Sequence, residues 1–165
     1  IIKKYLDWAD SYCEDRITII YDTMWDSTRI MAENIADGIV QADPGVNVKL
    51  YNLAGSDKND VITEIFRSKA MLAGSPTINK GILTSMAAML EEVRGLSFKN
   101  KKAACFGSYG WSGESVKMLN ELVKNAGFEL ADEGLRILWK PDSEAAGRCV
   151  DFGRRFAEAV KQRAG

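Results

Sequence analysis

Histidine is absent from this chain of 165 residues. That removes the usual ligand of zinc, haem and non-haem iron sites, and the base of a Ser-His-Asp triad. Cysteine is scarce: Cys13, Cys105 and Cys149 are far apart and odd in number. Such usage argues against a disulfide framework or a thiolate metal site and suits a reducing, cytoplasmic setting. Long apolar runs are missing, so no segment is expected to span a bilayer, and no secretory signal is visible. Excess charge is missing too, with 22 basic residues against 23 acidic ones and a net charge of −1. Nothing in that balance would hold a nucleic-acid backbone or an anionic membrane, so neither is expected as a partner. There is no internal repeat, low-complexity tract or Gly/Ser linker. A chain of this length, 46% hydrophobic and 27% charged, fits one globular domain with a real core.

What is present alternates between short apolar runs and amphipathic stretches. Arg16 to Tyr21 (RITIIY) is β-branched and reads as a buried strand. Ser27 to Val40 carries a helical stripe of Ile30, Met31, Ile35, Ile39 and Val40. After the Pro44-Gly45 turn, Val46 to Tyr51 alternates as a second strand. Asp57 to Arg67 reads as a helix capped by Asp57 or Asn59. Lys69 to Gly74 is the third strand, and Ile82 to Val93 a helix that Gly95 would close in a left-handed conformation. Lys101 to Gly107 is the fourth strand, Ser112 to Asn125 the next helix, and Leu135 to Trp139 the fifth strand. Asp142 or Ser143 then caps a final helix running to about Gln162. The order implies an α/β, doubly wound, five-stranded parallel sheet of flavodoxin-like order 2-1-3-4-5, with helices on both faces. Residues 1–14 also have helical spacing, without an N-cap. They are expected to be a junction helix from a preceding domain, with the domain itself over 15–165.

In such sheets ligands bind beyond the carboxyl ends of the strands. Three loops lie there. The first, Asp22 to Thr28, offers the hydroxyls of Thr23, Ser27 and Thr28 beside a helix N-terminus, which suits a phosphate monoester. It matches neither the P-loop nor the dinucleotide motif, and its hydroxyls could equally be a helix-capping turn. The second, Ser75 to Gly81, follows Gly74, whose lack of a side chain would let backbone approach a ligand. The third, Gly107 to Gly113, places Tyr109 and Trp111 among glycines, where aromatic faces can stack on a flat heterocycle.

Together the runs YDTMWDSTRIMAENIADGI, AGSPTINKGILTSMAAML and FGSYGWSGESVKMLNEL resemble the flavodoxin domain of flavodiiron proteins (A-type flavoproteins). The resemblance implies a non-covalent FMN. By it, Thr23, Met24, Trp25, Asp26, Ser27 and Thr28 line the phosphate. Ser75, Pro76, Thr77, Ile78 and Asn79 meet the ring and ribityl chain, and Ser108, Tyr109, Gly110, Trp111, Ser112 and Gly113 cover the isoalloxazine. Ordinary flavodoxins commonly carry glycine where Asp26 stands, and Asp22 is also close, so Asp26 is expected to face solvent rather than a phosphate dianion.

The resemblance further implies an electron-transfer module serving a diiron centre in another, metallo-β-lactamase-like domain that reduces dioxygen or nitric oxide. Rubredoxin or a similar protein would be the donor, and the parent would be a homo-oligomer. No catalytic residue or metal ligand is expected in this chain. An FMN-dependent NAD(P)H:quinone-type reductase of the same fold is the alternative. A receiver-like signalling domain would need an aspartate where the third strand ends Ala73-Gly74-Ser75. Cys105 and Cys149 read as packing residues, and Lys99, Lys101 and Lys102 as a solvated strand entrance.

Overall fold

The computed structural model describes residues 13–162. The expected junction helix falls outside the described residues except for Cys13 and Glu14, and Glu14 already belongs to the first strand. In chain order the elements are β1 (Glu14–Tyr21), α1 (Ser27–Ala42), β2 (Asn47–Asn52), α2 (Lys58–Arg67), β3 (Ser68–Gly74) and α3 (Thr84–Leu96). There follow β4 (Lys102–Tyr109), α4 (Glu114–Asn125), β5 (Glu129–Leu130), β6 (Leu135–Leu138) and α5 (Ser143–Lys161).

All strand pairs are parallel and the order is β2-β1-β3-β4-β5, as the alternating pattern implies. The fifth lane is split. β5 pairs with β4 at Lys102 and Ala103, and β6 pairs with the same strand from Phe106 to Tyr109. Between them Asp132 Oδ1 accepts the Gly134 N–H at 2.9 Å, turning the chain out of the sheet and back. A two-residue strand is too short to carry periodicity, so only the second piece is visible in the sequence.

Helices cover both faces. On one, Met31, Ile35 and Ile39 of α1 and Phe152 and Phe156 of α5 pack over Ile17, Ile19, Leu72 and Phe106. On the other, Ile65 of α2, Met86 and Leu90 of α3 and Leu119 and Val123 of α4 pack over Ile20, Met71, Ala73 and Cys105. Burial of each large side chain contributes about 1.5–3 kcal/mol. With both faces covered, Ile17 to Tyr21 is buried without alternation. Cys105 and Cys149 are buried free thiols that burial pushes up in pKa, Cys149 to about 11.

Two local expectations need correcting. Gly95 lies within α3, and Ser97 takes the left-handed position that ends it, at φ 52°. Lys101 is not a solvated strand entrance but buried, its ammonium donating to the carbonyls of Phe66 and Ser68. That bond closes the carboxyl end of α2, where backbone acceptors lack helical partners. The caps fall on Asp57, which accepts from Asn59 and Asp60 N–H, and on Asp142, which accepts from Ala145 N–H. Among the described residues no helix is long and apolar enough to cross a membrane.

Candidate functional site

The loops leaving β1, β3 and β4 are stitched together by their own backbones. Asp22 N–H donates to Gly74 O at 3.1 Å, Ser75 N–H to Phe106 O at 3.2 Å and Thr77 N–H to Ser108 O at 2.8 Å. Trp139 N–H donates to Tyr109 O at 2.8 Å and draws the end of β6 to the same rim. Between them runs a groove of about 210 Å³. Thr23, Met24, Trp25 and Ser27 line it from the first loop, Pro76 and Thr77 from the second, and Ser108, Tyr109, Gly110 and Trp111 from the third. Trp139 completes it.

Its rim is aromatic and exposed. Trp25 is 83% exposed, Trp111 93% and Trp139 57%. The rings of Trp111 and Trp139 meet edge to face, centroids 5.6 Å apart. Such a cluster of exposed large rings marks a surface made to be covered. Inside, Thr23 Oγ1 is buried and has no hydrogen-bond partner. A hydroxyl left so costs about 1–3 kcal/mol unless something supplies its bond.

At the head of α1, Asp26 adopts φ 61° and its side chain caps nothing. No acidic residue stands in the first turn, and neither Ser27 nor Thr28 serves as the cap. The unpaired N–H groups and positive dipole end are therefore open to an anion. Asp26 turns outward, pairing with Arg29 at 3.1 Å, and its side chain is 60% exposed. Asp22 does not face water. It is buried, accepting from Thr23 N–H at 2.7 Å and from the Ser85 hydroxyl of α3. Among the described residues no group of three or more Cys, Asp or Glu is placed to hold a metal ion.

Known proteins are similar to this chain in sequence and fold. The family model described as Flavodoxin matches residues 19–153. The chain belongs to the flavodoxin family. An archaeal flavodoxin superposes on the domain with a TM-score of 0.78 at 30% identity, covering 88% of this chain and 99% of that one. The rubredoxin oxygen:oxidoreductase of Desulfovibrio gigas gives a TM-score of 0.92 at 32% identity, over 99% of this chain and 40% of that one. The anaerobic nitric oxide reductase flavorubredoxin of Aeromonas hydrophila is 50% identical over 95% of the chain, which spans only 32% of that relative.

The cofactor of a flavodoxin domain is FMN. The residues present fit it: a planar ring suits the aromatic rim, and a phosphate suits the uncapped helix beside an orphaned hydroxyl.

The site residues expected from sequence separate into two sets. Thr23, Met24, Trp25, Ser27, Pro76, Thr77, Ser108, Tyr109, Gly110 and Trp111 are brought together in the groove. Others sit behind or beside it. Thr28 is fully buried, its hydroxyl 3.4 Å from Ser108 Oγ. Ser75 is buried and shapes its own loop, accepting from Leu83 N–H and donating to Pro76 O. Ile78 bonds Gly81 across a tight turn whose tip, Asn79 and Lys80, is left-handed at φ 48° and 60°. Ser112 bonds the Glu114 carboxylate, holding it below the usual carboxylate range, and Gly113 is the N-cap of α4.

Gly74 serves packing rather than ligand approach, since a Cβ there would lie 2.3 Å from the Phe106 ring. Trp139 is the residue sequence reasoning missed. It is left-handed at φ 59°, unusual for a bulky residue and a mark of a position held by its surroundings. The available signal is its place at the carboxyl end of the last strand, on the same rim as the three loops.

Proposed function

We propose that this flavodoxin domain holds one FMN in the groove at the carboxyl ends of β1, β3 and β4. It relays electrons to a diiron centre in a separate domain of a nitric oxide or dioxygen reductase. The observation that carries the reading is Thr23 Oγ1, buried without a partner in a groove with an uncapped helix at one end and indoles at the other.

In this reading Thr23, Ser27 and the first-turn N–H groups of α1 hold the phosphate. Pro76, Thr77 and Ser108 lie along the ribityl chain and ring edge, while Trp25, Tyr109, Trp111 and Trp139 shield the ring from water. When bound, FMN supplies reversible one- and two-electron chemistry. The protein's part is to orient the ring, exclude water around it and set the local charge. The chain has no histidine, so the metal pair that would bind nitric oxide or dioxygen is assigned to the other domain. A rubredoxin-like donor, a homo-oligomeric parent and a cytoplasmic setting complete the reading. Names of the relatives support it, while the chain spans about a third of the flavorubredoxin length.

Titrating the chain into free FMN should quench flavin fluorescence to a stoichiometry of one; no quenching by FMN, riboflavin or FAD at micromolar protein would sink the reading. Thr23→Val sharpens the test because it keeps the shape and removes the orphaned hydroxyl. It should leave apo stability unchanged or raise it by about 1 kcal/mol. FMN affinity should fall roughly tenfold, and riboflavin affinity much less. Equal loss for both ligands would place Thr23 away from the phosphate.

A further inference from the structure

Along β1 the side chains alternate between the two faces of the sheet. Ile17, Ile19 and Tyr21 belong to the core under α1 and α5, and Ile20 to the core under α2, α3 and α4. The period of two carries Asp22 toward that second face. There its Oδ2 accepts the hydroxyl of Ser85, in the first turn of α3. Its backbone is clamped as well. The Asp22 N–H donates to Gly74 O at 3.1 Å, and one residue earlier Tyr21 O accepts the Leu53 N–H at 2.8 Å. A carboxylate only 8% exposed needs compensation, and dipoles supply it. α3 has neither a side-chain cap nor an acidic residue in its first turn, so its positive end is open to this charge.

The other carboxylate oxygen reaches back to the flavin groove. Oδ1 accepts the Thr23 N–H at 2.7 Å, which fixes the peptide between the two residues. Thr23 itself lines the groove, with Oγ1 buried and without a partner. Threonine hydroxyls in loops ordinarily turn to a nearby backbone or side-chain partner. Here the neighbouring carboxylate is engaged by the Thr23 N–H and by Ser85, so the hydroxyl is not drawn back to it.

We propose that Asp22 is a positioning residue of the flavin site. Anchored by Ser85, it holds the Thr23 backbone so that the Thr23 hydroxyl stands ready for a phosphate oxygen. Ordering an adaptable side chain on binding costs affinity, and a preformed donor removes that cost. The inference rests on the FMN reading for its ligand and on the hydrogen bonds of Asp22 for its mechanism. The two carboxylates of the first loop thus have different parts. Asp26 stands in water at the α1 terminus, whereas Asp22 is committed to the α3 face.

The test is a double-mutant cycle in the whole chain, read by FMN and riboflavin titration. Asp22→Ala should weaken FMN about five- to tenfold and riboflavin less than about twofold. In a Thr23→Val background the same change should weaken FMN by less than about twofold further, because the hydroxyl through which Asp22 acts is already gone. Asp22→Asn keeps an acceptor for the Thr23 N–H and a partner for Ser85, and should rescue binding to within about threefold of the parent chain. Ser85→Ala frees only the anchor and should weaken FMN about two- to threefold, which keeps the test open should Asp22→Ala not fold. Additive losses in the cycle, or equal loss for riboflavin, would overturn the proposal, since they describe a general structural role. So would an Asp22→Asn chain that binds FMN about tenfold tighter, since its carboxylate would only repel. Amide exchange reads the hold on Thr23 without flavin. The Thr23 N–H should exchange at least about tenfold faster in Asp22→Ala than in the parent or in Asp22→Asn, and equal rates would also overturn the proposal. Inorganic phosphate, followed by the Thr23 amide resonance, separates the two readings. A chain that takes no FMN yet shows a phosphate shift that Asp22→Ala reduces keeps the positioning residue and loses only the flavin. No shift and no FMN binding would overturn both.

Discussion

At the amino ends of the strands, polar groups find their partners inside the chain. Arg16 reaches Glu14 and Glu64, and Arg67 reaches Glu14 at 3.3 Å. Lys69 pairs with Asp15 and Asp43, Thr18 shares a hydrogen bond of 2.6 Å with Ser68, and Lys101 donates to two carbonyls. Arg16 Nε is the exception, buried without a bond. At the carboxyl ends the pattern reverses: the Thr23 hydroxyl has no partner, the α1 terminus has no side-chain cap, and the largest exposed rings among the described residues collect there. One end is closed by self-satisfaction and holds the fold. The other keeps its bonding capacity for something else. Unsatisfied groups are costly, so their gathering at one end of the sheet is itself the functional signal.

The largest expected effect falls at the closed end. Arg16 and Glu64 side chains are each only 14% exposed, and the bond to Glu64 is the main cause of the raised Arg16 pKa. Arg16→Ala would leave the largely buried Glu64 with only the longer contact to Arg67, at 3.9 Å. Breaking a buried pair costs about 3–5 kcal/mol, discounted here to about 2–3 kcal/mol because water still reaches both groups. Urea unfolding should show that loss while the FMN dissociation constant stays within twofold. A matching drop in FMN affinity would mean the two ends are coupled and the contrast between them is false.

Trp111 tests the converse at the open end. Being 93% exposed, it holds almost nothing in place, so Trp111→Ala should change stability by less than about 0.5 kcal/mol. FMN affinity should fall by about 1–3 kcal/mol, from lost apolar contact and lost ring–ring interaction, and residual flavin fluorescence should rise. Unchanged affinity with unchanged quenching would make Trp111 an ordinary surface residue. Against Arg16→Ala this variant should show the opposite assignment of stability and binding.

How much of the fold and the site is legible in the sequence follows from the same physics. Strand and helix order was legible because buried parallel strands such as Ile17–Tyr21 and striped helices such as α1 carry strong periodic signals. Asp57 and Asp142 were legible as caps because their chemistry is local. The split of the fifth strand was not, since Glu129–Leu130 is held by pairing with β4 and not by its own pattern. Lys101 does not read as buried because its carbonyl partners, Phe66 and Ser68, lie 35 and 33 residues away and leave no trace near it in sequence. In the site, the loop residues were found through the rule about strand ends. Thr28 and Ser75 were grouped with them by adjacency, though neighbours in a loop can point to opposite sides. Trp139 escaped for a related reason: its role depends on a hydrogen bond to Tyr109, far away in the chain.

The smallest effect expected is at Asp26, and it asks whether the open end is tuned by charge. The residue sits at φ 61°, where a side chain costs about 1 kcal/mol and glycine almost nothing. Its pairing with Arg29 is exposed, so losing it matters by a few tenths of a kcal/mol. Asp26→Gly relieves the backbone but gives the unfolded chain more freedom to lose, so stability should move by less than about 1 kcal/mol. The carboxylate also stands at the α1 terminus proposed to hold a phosphate dianion. A screened unit charge in water is worth on the order of 0.5 kcal/mol there, so FMN should bind about twofold tighter in the variant. Riboflavin, lacking the phosphate, should not respond, and the FMN gain should shrink as salt rises. An equal gain for riboflavin would assign the change to the backbone, and a loss for FMN would mean that Asp26 helps to hold the cofactor despite its charge.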